Sequence, residues 1–386
     1  MWVPIMAIGA VAVVAIAYWA RVAAPGRSRS EAALRKQLAD HTNICLWTRL
    51  RVLVLLNPLG GGGRAKRVWE SVVKGTLHRA AIEFDLVETA RAGHARDLMS
   101  SLANLLEYAG LVVISGDGML HEIVNGLFDR CSGNEGRMRM MCDTLPILMI
   151  PAGTMNGLSS SLGNPTPADA LLHLLQCESA RSVDAYAVRS RATNVTRLDV
   201  HCVSAGIVAD HDELLERRLR SLPQWARVAL APAIVIGLNR SYAGRLYLRP
   251  APSQEGVGLK DAFALDADDQ GRPDWRMIDD RFVLLSVFNT HRASHDMIFA
   301  PAALPDDGAV YVVVVRAGIS RITMVRLFLA FETGRHIEFD EIEIYRVTAA
   351  EYRPREPGGV MNVSGETLPS GDTDIAVVPG LLKFVF

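Results

Sequence analysis

Three short stretches carry residues whose types and spacing could do chemistry. Ser115-Gly116-Asp117-Gly118 places a carboxylate between two glycines where an apolar run gives way to an amphipathic one. An aspartate there could cap the helix that follows. Glycine on both sides adds that something approaches the backbone closely. Asn57-Pro58-Leu59-Gly60-Gly61-Gly62-Gly63 and Pro151-Ala152-Gly153-Thr154-Met155-Asn156-Gly157 are similar junctions. Glycine-rich approaches to a helix N-terminus bind phosphates, because free backbone N–H groups and the helix dipole both favour anions. No Gly-Lys-Ser/Thr closes the first run, so it is not a Walker A loop. Gly60-x-Gly62-x-x-Ala65 formally satisfies a dinucleotide fingerprint, with Asp85 or Glu88 as ribose acid, and that leaves an NAD(P)-binding oxidoreductase open.

The elements that must position these loops alternate. Arg51–Leu56, Ile82–Val87, Leu111–Ile114 and Leu145–Ile150 read as strands, apolar nearly throughout as in a sheet covered on both faces. Helical periodicity falls at Arg64–Leu77, His94–Leu106, from Gly118 to about Phe128, and at Ala168–Gln176. That order predicts right-handed βαβ units and an open parallel sheet, whose ligands bind outside the carboxyl ends of the strands. Beyond about Ser182 the texture becomes β-rich, with expected strands at Asp199–Val203, Arg245–Leu248, Phe282–Val287, Val310–Val315, His336–Tyr345 and Ala376–Phe386. Helical stretches near Asp212–Arg220 and Ile322–Glu332 interrupt them, and Lys260–Asp280 reads as a polar, acidic surface insertion.

Composition bounds the function. The chain has 386 residues, 22% of them charged, and a net charge of -1, so no global basic field points to nucleic acid. Five cysteines without a CxxC pair fit neither a zinc site nor a secreted disulfide framework. His291 and His295 lack a third metal ligand at suitable spacing. Met1–Ala20 is free of charge and ends in Tyr18 and Trp19, with Arg21, Arg27 and Arg29 following. This predicts a transmembrane anchor over residues 1–22 with the rest of the chain cytosolic, the endoplasmic reticulum being one candidate membrane.

The motifs Asn-Pro-x-Gly-Gly, Ser-Gly-Asp-Gly-x-x-His-Glu-x-x-Asn-Gly-Leu and Pro-Ala-Gly-Ser/Thr-x-Asn, in this order, resemble the diacylglycerol-kinase-type catalytic domain. Val315–His336 (VRAGISRITMVRLFLAFETGRH) narrows the resemblance to the sphingosine kinase family. The resemblance implies transfer of the ATP γ-phosphoryl, with Mg2+, to the primary hydroxyl of a sphingoid base, giving its 1-phosphate. Asp117 then corresponds to the catalytic aspartate, beside the metal. Asn57, Gly60, Gly61, Thr89, Gly116, Gly153 and Thr154 match nucleotide-binding positions, with Ser115 and Gly118 in the same turn. Asp212 aligns with the carboxylate that holds the sphingoid ammonium, and Asp210 is its neighbour. Arg227 is expected to reach the phosphates. Ile207, Val208, Met297 and Phe299 fall in segments that line the acyl pocket, although apolar residues on such elements are more often plain core.

Some residues depart from that pattern. Ser364 replaces the aspartate of Asp-Gly-Glu, leaving Glu366 to line the nucleotide site; Leu59 and Gly62 stand where relatives carry basic residues, for which Arg64 or Lys66 could substitute. Met155 replaces a glycine. A ceramide or diacylglycerol kinase and an inactive tethered pseudokinase therefore stay open beside the sphingoid reading. The expected fold class is an α/β nucleotide-binding domain with a mainly parallel sheet, a β-rich, sandwich-like C-terminal domain and the N-terminal transmembrane helix. The boundaries expected are an anchor at 1–22, a linker at 23–49, an ATP-binding domain at 50–182 and a lipid-binding domain at 183–386, whose last strand could return to the first. The partners expected are the lipid and a membrane, not nucleic acid.

Overall fold

The structure is a computed structural model that describes residues 29–39, 45–177, 179–219, 221–252 and 259–386. Strands β1 (Arg51–Leu56), β2 (Glu83–Glu88), β3 (Leu111–Ser115) and β4 (Ile147–Pro151) form a parallel sheet in the order β4-β3-β1-β2. β3 and β4 are buried at every residue and β1 at all but Arg51, whereas β2, on the edge, is only partly covered. Leu53, Leu55, Val113 and Met149 enter the apolar cluster on one face, and Val54, Leu56, Ile114 and Ile150 the cluster on the other. This is the burial that continuous apolar strands require. Helices His94–Ser101 and Asp117–Arg130 cover the first face. Pro167–Gln176 covers the second, and its start is set by a reciprocal Thr166–Asp169 capping box. Inside the stretch expected as linker, Arg29–Ala39 is a helix that buries Leu34, and the Trp47 ring lies where any side chain at Gly110 would have to go.

The rest of the chain is largely antiparallel. Its strands are β5 (Arg181–Ser190), β6 (Val195–Asp199), β7 (Cys202–Gly206), β8 (Tyr242–Pro250), β9 (Asp266–Ala267) and β10 (Arg276–Phe288). Then follow β11 (Arg292–Ser294), β12 (Met297–Ile298), β13 (Val310–Arg316), β14 (Ile342–Pro354), β15 (Val360–Val363), β16 (Glu366–Pro369) and β17 (Thr373–Phe384). The order β16-β15-β7-β10-β13-β14-β17 runs on into β4, because Phe384 at the end of β17 pairs in parallel with Ile147. One sheet thus passes through both halves. Helices Gln224–Leu238 and Arg321–Ala330 pack on the β10/β13 face around Phe288, Phe299 and Phe331. A second apolar layer, holding Leu246, Leu285, Val312 and Tyr352, fills the other face.

The expectation of a transmembrane helix is corrected. Among the described residues no helix is long and apolar enough to cross a membrane. Their longest α-helix, Gln224–Leu238, has 15 residues, and the unbroken α-π-α run 64–79 has 16; at about 1.5 Å per residue both fall short of a hydrocarbon core roughly 30 Å thick. Over the described residues the fold class is therefore the α/β half joined to the β-rich half, with no membrane-crossing helix among them. Residues 1–22, on which the anchor was expected, lie outside the described residues.

Two other differences have local causes. Asp199–Val203 is not one strand: β6 ends at Asp199, whose carboxylate accepts the N–H groups of Val200 and His201 and so turns the chain before β7. The acidic insertion is partly buried rather than wholly solvated. Arg272 pairs with Asp268 and Glu351 and lies over the rings of Tyr247 and Trp275.

Candidate active site

The carboxyl ends of β1, β3 and β4 bring the three glycine-bearing loops to one edge, and the loops fit one another before any ligand is considered. Gly116 and Gly153 pack backbone to backbone: a Cβ on Gly153 would lie 2.4 Å from the Gly116 Cα. Gly61 has φ of 57°, and a Cβ on it would meet the Ala152 carbonyl oxygen at 2.3 Å. Glycine at 153 is thus demanded by the neighbouring loop and a Cβ on Gly116 would be tight, at 3.1 Å from the Gly153 Cα, while Gly118 is exposed, with the Ser364 carbonyl oxygen 3.6 Å from its Cβ position. Asn156, in the left-handed region, bonds both the N–H and the carbonyl of Gly153 and sets the loop. Thr154 and Met155 are exposed on its rim, and His295 from the β11–β12 hairpin donates to the Met155 carbonyl at 2.8 Å through its backbone N–H.

Asp117 begins the helix Asp117–Arg130 but does not cap it. Its Oδ2 accepts from Gly157 N at 3.0 Å and its Oδ1 from Leu158 N at 3.2 Å, so it holds the first turn of the next helix, Gly157–Ser161. Its side chain is 10% exposed, and each oxygen keeps a further lone pair. His201 faces it from the C-terminal half, with Nε2 3.9 Å from Asp117 Oδ2 and 3.1 Å from the Ala293 carbonyl oxygen.

The other nucleotide-side residues sit around this edge. Asn57 turns the first loop, accepting Leu59 N on its side chain and Gly60 N on its carbonyl. Thr89 follows β2 and bonds the Leu56 carbonyl oxygen through its N–H at 2.8 Å. Ser115 is buried at the end of β3. Leu59 is 82% exposed and makes no cation available. Of the two substitutes, Lys66 is drawn to Glu88 at 3.9 Å, whereas the Arg64 guanidinium crosses to the Pro151 carbonyl oxygen on the third loop. Arg227, on the helix Gln224–Leu238, donates to the Leu215 carbonyl oxygen at 2.9 Å.

Asp210 and Asp212, both on the helix Ile207–Glu213, have different surroundings. The Tyr242 hydroxyl reaches both Asp210 oxygens, at 2.9 and 2.7 Å; burial raises the Asp210 pKa and pushes that of Tyr242 up to about 12. Asp212 is 35% exposed, meets His211 at 3.2 Å and accepts from Asn362 Nδ2 at 3.0 Å. Asn362 Oδ1 in turn accepts from Gly365 N, which ties Asp212 to the Ser364–Glu366 turn. Glu366 is half-exposed and faces Arg197 at 3.6 Å. Burial raises the pKa of the Cys202 thiol strongly, and the charges of Asp199, Asp212 and Asp117 raise it further. The Asp117 turn reaches the same Ser364–Glu366 turn, since the Ser364 carbonyl oxygen lies 3.6 Å from the Cβ position of Gly118.

Ile207, Val208, Met297 and Phe299 share one apolar cluster, between the β10/β13 face and the helices Gln224–Leu238 and Arg321–Ala330. On the opposite face, the space lined by Val203, Leu246 and Leu285 is about 10 Å³, room for a water molecule and not for an alkyl chain.

Among the described residues no group of three or more His, Cys, Asp or Glu forms a metal cage. Mg2+ needs none: one or two carboxylates with substrate phosphates and waters complete its octahedron. The free lone pairs of Asp117 fit that demand, with half-exposed Glu366 a second carboxylate on the turn whose Ser364 carbonyl oxygen lies 3.6 Å from the Cβ position of Gly118.

Sequence reasoning passed over His201, Asp199, Asn156 and Asn362. The Asn of Pro-Ala-Gly-Ser/Thr-x-Asn was in view as a motif letter, while the other three act across distant segments and leave no local pattern.

Comparison with known proteins agrees with the geometry. Residues 51–188 match the diacylglycerol kinase catalytic domain, and residues 264–386 the YegS C-terminal NAD kinase beta sandwich-like domain. Sphingosine kinase 1 of Rattus norvegicus is 32% identical over 356 residues, covering 87% of this chain and 90% of that protein. Sphingosine kinase 1 of Homo sapiens is 33% identical, covering 83% and 86%. Among solved structures, a diacylglycerol kinase from Bacillus anthracis str. Sterne superposes with a TM-score of 0.57 at 17% identity, over 87% of this chain and 96% of that one, which is a likeness of fold.

Proposed function

Because the chain belongs to the sphingosine kinase family, we propose that it transfers the γ-phosphoryl of ATP to the primary hydroxyl of a sphingoid base, releasing ADP and the 1-phosphate. The observation that carries this reading is the run of contacts that links Asp117 to Asp212 across the two halves of the chain: the Ser364 carbonyl oxygen lies 3.6 Å from the Cβ position of Gly118, and Asn362 bonds both Gly365 N and the Asp212 carboxylate. One carboxylate serves the hydroxyl and the other the ammonium of the same small head group.

The nucleotide phosphates lie along the edge made by Asn57, Gly60, Gly61, Thr89, Ser115, Gly116, Gly153 and Thr154. Arg64 supplies the cation that Leu59 and Gly62 do not. Asp117, held by the Gly157 and Leu158 amides, accepts the hydroxyl proton as the oxygen attacks phosphorus and the bond to the ADP oxygen breaks. Such a reaction is governed by positioning and charge neutralisation. Asp117 and Glu366 would hold Mg2+, which supplies charge neutralisation on the phosphates when bound. Asp212 binds the ammonium, while Asp210 is committed to Tyr242 and shapes its helix. The alkyl chain enters the cluster of Ile207, Val208, Met297 and Phe299, gaining about 0.8 kcal/mol for each CH2 buried.

The test is transfer of label from γ-labelled ATP to sphingosine by the purified protein. Turnover that is lost in Asp117→Asn supports the reading. Wild-type protein that folds, binds ATP and phosphorylates no lipid overturns it.

A further inference from the structure

Behind Asp117 lies a carboxylate that this scheme does not use. Asp199 is fully buried, and its Oδ1 accepts from Val200 N at 2.7 Å, His201 N at 3.2 Å and Ser364 Oγ at 2.6 Å. These bonds join segments that each touch the Asp117 turn. His201 faces Asp117 itself, and the Ser364 carbonyl oxygen lies 3.6 Å from the Cβ position of Gly118. His121, on the same helix as Asp117 and four residues on, places Nδ1 3.8 Å from Asp199 Oδ1. Asp199 Oδ2, His121 Nδ1 and the Tyr186 hydroxyl are buried without a hydrogen-bond partner among the described residues. Keeping a carboxylate fully buried with one oxygen unbonded is costly, even with three donors on the other. A serine could accept the same two backbone N–H groups at less cost. What the carboxylate adds is an acceptor strong enough to hold the Ser364 turn and the start of β7 together, with His121 of the Asp117 helix 3.8 Å away.

We propose that Asp199 is the positioning residue of the site, registering the Ser364–Glu366 turn and His201 against Asp117. The proposal rests on the reading of Asp117 as the group that takes the hydroxyl proton. It also accounts for the departure at Ser364, where the Asp-Gly-Glu pattern has an aspartate. The carboxylate stands across a 2.6 Å hydrogen bond, on the strand instead of on the turn. Ser364 has φ of 43°, a conformation that aspartate tolerates, so the two side chains are exchangeable in principle.

The test compares four full-length proteins in the labelled-ATP assay with sphingosine: wild type, Asp199→Ser, Asp199→Ser with Ser364→Asp, and Ser364→Ala. Asp199→Ser is expected to lower kcat by at least about tenfold, with KM for ATP within roughly twofold, because misplacement of reacting groups costs rate and not ground-state binding. The transposed double variant is expected to recover kcat to within about fivefold of wild type. Loss of thermal stability in Asp199→Ser with kcat intact would make Asp199 merely structural and overturn the proposal, as would a double variant no faster than Asp199→Ser. If Asp199→Ser does not fold, Ser364→Ala decides, since it keeps the carboxylate and removes one donor: lower kcat at unchanged KM for ATP supports the proposal, and wild-type kcat overturns it. Inactive wild-type protein would instead bring down the kinase reading, and this proposal with it.

Discussion

The carboxylate of Asp117 holds the helix that starts at Gly157, not its own, with Oδ2 3.0 Å from Gly157 N. The proton acceptor of the scheme is thus also the clamp between the second and third glycine loops. Two roles in one side chain can be separated by substitution. Asp117→Asn keeps one oxygen to accept an amide but turns an NH2 towards the other, so it should cost about 1 kcal/mol of stability while reducing kcat by about 10²–10⁴-fold. Asp117→Ala should lose both, with about 1 kcal/mol more of stability gone than in Asp117→Asn. Thermal melts beside initial rates distinguish the cases.

Asp212 and Asp210 should respond oppositely. Asp212→Asn removes the charge that pairs with the sphingoid ammonium, so KM for sphingosine should rise by about 10- to 100-fold, in keeping with about 1.5–3 kcal/mol for a charge-assisted bond. KM for ATP should not move. Asp210→Asn instead disturbs the Tyr242 clamp and should lower stability more than it alters sphingosine KM. Steady-state kinetics with either substrate varied checks both.

Gly153→Ala introduces a methyl group 2.4 Å from the Gly116 Cα, a backbone atom with no room to yield. Separation of the two loops should cost about 1–3 kcal/mol and raise KM for ATP. Gly75→Ala, which meets nothing within 4 Å, is the matched control and should be neutral or slightly stabilising. Chemical denaturation of the two variants gives the comparison.

Stability should fall on mild acidification because of His336. It is fully buried, Nε2 lies 3.0 Å from the Phe299 carbonyl oxygen, and burial lowers its pKa to about 4. Its unfolded value is about 6.5, so between these two values the unfolded chain binds a proton that the native chain does not. The contribution is complete above pH 6.5 and is lost as pH falls towards 4, amounting to about 2 kcal/mol between pH 7 and pH 5. His336→Gln should show a flatter stability profile over that range in urea titrations, whatever its stability at pH 7.

How much of this was legible in the sequence depended on whether a role was local. The strand Arg51–Leu56 and the glycine loops announce themselves through composition, and Asp117 through its glycine neighbours. The reason for one of those glycines was not visible: Gly116 is shaped by Gly153, a residue 37 positions on whose approach only the folded sheet reveals. Asp199 looked like the first residue of a strand, because an aspartate that bends the chain by accepting two backbone N–H groups resembles any polar strand residue. In the sequence Ser364 is only a missing carboxylate, and the fold alone brings its hydroxyl onto Asp199. The helix Gln224–Leu238 carries Pro232 inside it and gave no clear amphipathic period, being largely apolar.

The central claim is that the two carboxylates, Asp117 and Asp212, serve the hydroxyl and the ammonium of one head group. Ceramide offers the same primary hydroxyl as sphingosine with the positive charge removed by acylation. The most direct measurement is therefore kcat/KM of the wild-type protein for sphingosine against ceramide, with γ-labelled ATP. The account predicts at least about a tenfold preference for sphingosine, one charge-assisted contact being worth that much. It also predicts that Asp212→Asn abolishes most of that preference. Equal or better use of ceramide by the wild type would contradict it.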